Sequence, residues 1–334
     1  MYPNKIKRLV IDGVYDAENY RAALWNTNIV DVDHVVDALF DFCHQAGPEH
    51  CPLYEPSPSK IRQRFFCVLD NLKQNPVPVP LASPPVIITH KALLARFFYS
   101  TNKPLADYGS VVDTIHAIET GNTTALTALA PLIVNPVECE CDENSTAAAH
   151  GASEAMFAIA CSDGDEHAWN LEEYKEWYKG VKAQSPLMAP MWGHYWMMCA
   201  EWKVRAKWRW TGPLAAANTS HPILVVSTKY DPCTPLADAR MVQARYGGSG
   251  LLVQDSYGHC SLSSPSLCTA KHVRRYFEAG ILPDEGTVCV VDELPFVGRR
   301  DPGGLRSMSV EDIRLLEALK SLSRGMPIYL SRGL

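Results

Sequence analysis

The spacing of apolar positions changes period twice along the chain. Ile6-Lys7-Arg8-Leu9-Val10-Ile11-Asp12 is a short β-branched run halted by Gly13, the pattern of a strand buried in a parallel sheet. From about residue 16 to 215 the period is mostly helical. Val32, Val35, Val36, Leu39 and Phe40 recur on one helical face between Asp31 and Phe42, and residues 87–99 and 108–120 predict two further amphipathic helices. Asn75-Pro76-Val77-Pro78-Val79-Pro80 interrupts them, because a proline-studded stretch is extended and cannot be helix interior.

Strand character returns at Pro222-Ile223-Leu224-Val225-Val226-Ser227-Thr228 and again at Gly250-Leu251-Leu252-Val253-Gln254-Asp255. Between them Asp238 to Tyr246 predicts a helix closed by Gly247-Gly248, and after them Lys271 to Ala279 predicts another that stops at Gly280. Ser309-Val310-Glu311-Asp312 reads as a helix start, with Ile313, Leu316 and Leu319 on one face and Gly325 beyond the end. Strand, helix, strand, helix at this spacing is the closing half of a doubly wound α/β sheet.

Composition narrows the class. The chain has 334 residues, 47% of them apolar and 20% charged, which supports a packed core and argues against disorder. A net charge of -6 gives no broad drive toward nucleic acid or an anionic membrane. No apolar run reaches the roughly 18 residues that span a bilayer. No basic-then-apolar leader opens the sequence, where Met1-Tyr2-Pro3-Asn4-Lys5 runs straight into strand character.

The cysteines pull the other way. Eleven are present, and several fall in pairs across loop-like gaps: Cys43 with Cys51, Cys161 with Cys199, Cys268 with Cys289. The first gap, His44 to His50, is turn-forming and would bring its two thiols together. Paired spacing and glycosylation sequons at Asn122, Asn144 and Asn218 suit an oxidising, secretory compartment.

The chemistry concentrates on two residues. Asp231 and His259 each stand just past the C-terminal end of a predicted parallel strand, the edge where such sheets gather catalytic groups. One helix and one strand separate them, enough to set their loops side by side. A carboxylate there would fix the tautomer of the imidazole and stabilise the imidazolium while it carries a proton. The plain alternative is a turn aspartate and a structural histidine.

Asp231-Pro232-Cys233-Thr234-Pro235 and Gly258-His259-Cys260-Ser261 resemble the C-terminal segment of tripeptidyl-aminopeptidase-like (TAP-like) α/β-hydrolases of the fungal type. Ser266-Leu267-Cys268-Thr269-Ala270, Asp292-Glu293-Leu294-Pro295-Phe296, Arg8 to Val14 and Ala160-Cys161-Ser162-Asp163 extend the likeness from residue 6 to about 297. The resemblance implies that Asp231 and His259 are the triad acid and base. It implies a helical lid, and disulfides joining Cys43–Cys51, Cys161–Cys199 and Cys268–Cys289. Cys67, Cys139, Cys141, Cys233 and Cys260 stay unassigned.

A third catalytic part is missing. The nucleophile of this fold sits on a G-x-S-x-G turn between strand and helix, and these residues contain none. Gly151-Ala152-Ser153-Glu154-Ala155 lacks the second glycine, Gly248-Ser249-Gly250 lies between helix and strand, and Ser261 has no such turn. In the family the strand resembling Arg8 to Ile11 follows the nucleophile helix. The expectation is therefore a partial α/β-hydrolase fold, the closing strands of a parallel sheet with a large helical insertion. Its expected segments are a sheet strand in 1–15, a lid in 16–215, an acid- and base-bearing α/β segment in 216–300 and a helical extension in 301–334.

Three functional readings compete. The first is a serine-type peptidase or esterase acting on short peptides, with esters or thioesters of a biosynthetic pathway as the other substrate class. The second is an inactive remnant that binds a ligand or partner, and the third is half of a split enzyme completed by another polypeptide. The expectation includes no cofactor, no metal, and neither nucleic-acid nor membrane partners, and the family-like interior suggests secretion. Two weaker signals complete the reading. Five of the eight tryptophans, Trp192 to Trp210, fit packing between lid and sheet better than a substrate pocket. Cys139, Cys141 and His150 match no closed zinc spacing.

Overall fold

The computed structural model describes residues 2–134, 152–166, 170–200, 202–301 and 308–325. The expected features at Cys139, Cys141, Asn144, His150 and Gly151, and the side chain of Ser153, lie outside the described residues. In chain order, β1 spans Val10–Asp12, α1 Ala17–Arg21, α2 Val32–Ala46, α3 Pro58–Asn71, β2 Val77–Val79 and β3 Val86–Ile88. There follow α4 His90–Ser100, α5 Pro104–Thr120, α6 Thr123–Ile133, α7 Ala152–Asp163, α8 Leu171–Gln184, α9 Ala189–Trp192 and α10 His194–Ala200. The last part holds β4 Leu224–Tyr230, α11 Leu236–Arg245, β5 Gly250–Tyr257, α12 Leu267–Ala279, β6 Val288–Val290 and α13 Val310–Gly325.

The chain forms two compact units. One takes in the described residues of 1–35, 157–294 and 299–326, the other those of 36–156 and 295–298. The second unit is helical, with an antiparallel hairpin of β2 and β3 in the proline-rich stretch. Its core is aromatic: Phe65 lies 5.5 Å from Phe40 and 4.8 Å from Phe97, ring centre to ring centre. The Cys43–Cys51 disulfide closes the loop after α2. Helix starts follow the sequence here. Ser57 caps α3 by accepting from the Lys60 N–H, and Pro58 takes the first helical position, where its missing N–H is harmless.

The first unit holds the sheet. Its four strands run in the order β1-β4-β5-β6, every pairing parallel. This is an α/β architecture, consistent with the expected partial α/β-hydrolase fold. Successive residues alternate faces, so one side buries Val14, Ile223 and Val225 against Ala239 and Val242 of α11. The opposite side buries Leu224, Val226 and Leu252 against Tyr276 of α12. Helices on both faces explain why these strands read as unbroken apolar runs. The Tyr276 hydroxyl accepts from the Leu9 N–H at 3.0 Å and donates to the Pro222 carbonyl at 2.6 Å, locking the entries of β1 and β4 together.

The sequence pattern predicts three strands, and the sheet has four. β6 is only three residues long with a single buried position, Cys289, so no apolar run announces it. The Cys268–Cys289 disulfide ties it to α12 with Cα atoms 5.4 Å apart. Helix α12 begins four residues before the predicted Lys271, where Ser266 accepts from the Thr269 N–H, and ends at Gly280 in the left-handed region. The third disulfide, Cys161–Cys199, joins α7 to α10. Among the described residues no helix is long and apolar enough to cross a membrane.

Candidate active site

Parallel pairing of β4 with β5 sets Tyr230 opposite Tyr257, and their rings stack 5.1 Å apart. Asp231 and His259 therefore leave the same edge of the sheet on adjacent loops. Two hydrogen bonds tie those loops together: the Gly258 N–H donates to the Tyr230 carbonyl at 3.0 Å, and the Thr228 hydroxyl donates to the Gly258 carbonyl at 2.7 Å.

The Asp231 side chain is fully buried, and His259 is 23% exposed. Oδ1 accepts from the backbone N–H of Cys233 at 3.0 Å and of Thr234 at 2.8 Å, a turn that Asp-Pro-Cys-Thr favours locally. Oδ2 accepts from the N–H of Cys260 at 3.0 Å. Both oxygens lie 3.2 Å from Nδ1 of His259. Burial pushes the carboxyl up, but the imidazole and the backbone donors together outweigh it and hold Asp231 below the usual carboxylate range.

Burial likewise favours the neutral imidazole, and the attraction of Cys233 and Asp231 outweighs it, holding His259 well above its ordinary 6.5. Of these two neighbours, Asp231 supplies the charge. Burial pushes the Cys233 thiol up to about 12, so it carries no proton-attracting charge near neutral pH. An imidazole held through Nδ1 by such a carboxylate keeps Nε2 for proton transfer.

Sequence reasoning brings Asp231 and His259 together, and the structure does place them together. It also adds residues that were not singled out. Asp12, at the end of β1, accepts from the Ser261 N–H at 3.0 Å and from its hydroxyl at 2.6 Å. Burial raises the Asp12 carboxyl despite these bonds. Gly13 follows with φ +71°, and a Cβ there would stand 3.1 Å from Cε1 of His259. Thr234 places its hydroxyl 3.0 Å from Nδ1, and Cys233 its sulfur 3.3 Å from the same atom. The sequence signals for Asp12 are its place at the C-terminal end of a parallel strand, the criterion that selects Asp231, and its place in the family-like stretch Arg8 to Val14.

The remaining candidates separate. The Ser249 hydroxyl donates to the carbonyls of Gln243 and Tyr246, which fixes the turn into β5 and places it away from the imidazole. Trp192 and Trp196 are buried among aromatic rings, with Trp192 4.2 Å from Tyr195 and Trp196 5.4 Å from Trp177. Trp208 is 66% exposed.

Comparison with known proteins bears on the same region. Residues 185–289 match the family described as TAP-like protein, a span that contains both Asp231 and His259. No curated protein matches the chain. The segment from α9 into β6 is therefore similar to the C-terminal domain of TAP-like α/β-hydrolases.

Proposed function

We propose that this chain carries the acid and base of a serine-type α/β-hydrolase site. His259 takes the proton of an attacking serine as general base and returns it to the leaving group as general acid, and Asp231 orients the ring and stabilises the imidazolium. The observation that supports this most directly is the buried Asp231 carboxylate, fed by three backbone N–H groups and facing Nδ1 of a partly exposed imidazole at the carboxyl edge of the sheet.

These 334 residues contain no G-x-S-x-G turn, so this reading takes the attacking serine from a further segment, of the same polypeptide or of another. The fold has room for it. Among the described residues β1 pairs only with β4, so its other edge offers unpaired N–H and C=O groups. Beside it runs an apolar groove of about 950 Å³ lined by Leu9, Ile11, Asp12, Gly13 and Val242. A strand added to that edge would end beside Gly13, next to His259. The substrate class is an acyl compound, short peptides by family resemblance, with esters or thioesters as the second class.

A fluorophosphonate probe tests the reading. The purified chain acquires no stoichiometric adduct on any of its own serines and shows no turnover, because a base without nucleophile and oxyanion donors has nothing to activate. Supplied with a strand–elbow–helix segment of a TAP-like hydrolase, it turns over an activated acyl ester, and Asp231→Asn lowers that rate about 10⁴-fold. A stoichiometric adduct within this chain, or complemented turnover indifferent to His259→Gln, overturns the proposal.

A further inference from the structure

Four polar atoms converge on one ring nitrogen. Nδ1 of His259 has Sγ of Cys233 at 3.3 Å, Oδ1 and Oδ2 of Asp231 at 3.2 Å, and Oγ1 of Thr234 at 3.0 Å. A single N–H can serve one or two of them, so the ring proton alone does not account for the convergence. Asp231, Cys233 and His259 also have their ligand atoms within 4.8 Å of one another.

We propose that Asp231, Cys233 and His259 form a site for a borderline-soft divalent cation of the Zn²⁺ class, with the Thr234 hydroxyl or a water completing four-coordination. The donor chemistry fits: a sulfur and an imidazole select such ions, and a carboxylate oxygen adds charge. The spacing fits as well. Ligands at about 2.0–2.3 Å from a tetrahedral ion lie roughly 3.3–3.6 Å from each other, close to the nitrogen–sulfur and nitrogen–oxygen distances here.

Lone-pair accounting singles out the oxygen. Oδ1 is occupied by two backbone donors, whereas Oδ2 accepts only the Cys260 N–H besides facing the ring. One lone pair of Oδ2 is thus left toward Nδ1. The same backbone donors fix the carboxylate in place, so ligation needs little rearrangement. On binding, the ion displaces the thiol proton of Cys233 and any proton on Nδ1, and the ring keeps its proton on Nε2.

That last step has a consequence. An imidazole with the ion on Nδ1 and hydrogen on Nε2 cannot accept a proton, so occupancy and acid–base work exclude each other. Another trio, Cys268, His272 and Cys289, has similar spacing, but its two sulfurs are joined in a disulfide and offer no thiolate. The proposal rests on this geometry alone and stands whether or not the chain is a hydrolase.

Titration of the purified full chain with Co²⁺, without reductant, tests it. The expected result is a thiolate-to-cobalt charge-transfer band saturating at one equivalent and bleached by Zn²⁺. Cys233→Ser abolishes the band, and His259→Gln weakens binding more than about tenfold, the least that disturbing even an outer partner of a ligand costs. The double variant Cys139→Ser with Cys141→Ser leaves band and affinity unchanged. Far-ultraviolet circular dichroism confirms that each variant folds. Absence of the band in the unsubstituted chain overturns the proposal whatever the variants do. So does its survival in folded Cys233→Ser, or its loss in the Cys139/Cys141 variant, which would move the site there.

Discussion

Ser261 donates both its backbone N–H and its hydroxyl to the carboxylate of Asp12, 249 positions earlier in the chain. This clamp fastens the loop after His259 to the end of β1. Between His259 and Ser261 stands Cys260 with φ 65° and ψ 164°, a region of backbone space that is almost the preserve of glycine. Such a conformation costs on the order of 1–3 kcal/mol and persists only where neighbours fix it. Here the Asp12–Ser261 clamp fixes it from one side and the Cys260 N–H bond to Asp231 from the other.

Removing the clamp therefore weakens more than one hydrogen bond. Ser261→Ala deletes the hydroxyl donor to a half-buried carboxylate and lowers stability by about 1–3 kcal/mol. Asp12→Asn keeps an acceptor for the Ser261 N–H and falls at the lower end of that range. Urea unfolding of both variants checks the order, and an Asp12→Asn loss exceeding that of Ser261→Ala contradicts it.

At Cys260 the usual ranking of alanine over glycine reverses. Both substitutions remove the thiol, but only glycine takes φ 65° and ψ 164° without strain. In ordinary sites glycine is the less stable by roughly 0.5–1 kcal/mol. Here Cys260→Gly should be the more stable of the two by about 1 kcal/mol, the strain released less glycine's entropic cost. Paired thermal melts decide this, and the ordinary ranking would refute the strain.

How far the sequence discloses this site depends on what each residue needs from its neighbours. Asp231 and His259 follow directly from strand ends, because parallel pairing puts successive carboxyl ends side by side. Long apolar runs likewise reveal β4 and β5. The fourth strand escaped because β6 has one buried residue, its neighbours Val288 and Val290 being more than half exposed. The β2–β3 hairpin escaped because prolines mark extension without naming a partner. Asp12, Ser261 and the strained Cys260 escaped for a stronger reason. Their roles exist only through a contact across 249 positions, which no local period encodes.

The Asp231–His259 pair sets a pH window. Asp231 is depressed in the folded chain, so its contribution is present above its ordinary 3.8 and is lost as pH falls through the lower folded value. His259 is raised, so its contribution is present below 6.5 and is lost as pH rises through the higher folded value. The pair therefore stabilises most between these limits. Asp238, pushed up to about 6 by burial, opposes it, its contribution fading from 3.8 upward. Subtracting the His259→Gln profile from that of the unsubstituted chain cancels Asp238. The difference should peak between about pH 4 and pH 6.5 and shrink on the alkaline side. A difference that grows above pH 8 would contradict the assignment.

The disulfides should differ in weight. The chain-entropy estimate is about 4 kcal/mol for Cys161–Cys199, about 3 for Cys268–Cys289 and about 2.5 for Cys43–Cys51, from their loop lengths. Two of the three lie in the sheet-bearing unit. Cys161→Ser with Cys199→Ser should therefore lower the unfolding midpoint more than Cys43→Ser with Cys51→Ser. Equal losses measured by calorimetry would show that native strain, not loop closure, governs them.

Gly13 brings the backbone at the end of β1 up against the His259 ring. Its φ of +71° disfavours any side chain, and a Cβ would stand 2.4 Å from Sγ of Cys260 and 3.1 Å from Cε1 of His259. Gly13→Ala carries two separate penalties, about 1–2 kcal/mol for the left-handed backbone and a further contact term against the thiol. Only the second depends on Cys260. In the background of Cys260→Ala the contact term falls away, so Gly13→Ala should cost about 1 kcal/mol less there than in the unsubstituted chain. A double-mutant cycle by urea unfolding measures this difference. A coupling near zero would mean that Cys260 moves aside without cost, and that the loop carrying His259 is less firmly held than the Asp12–Ser261 clamp implies.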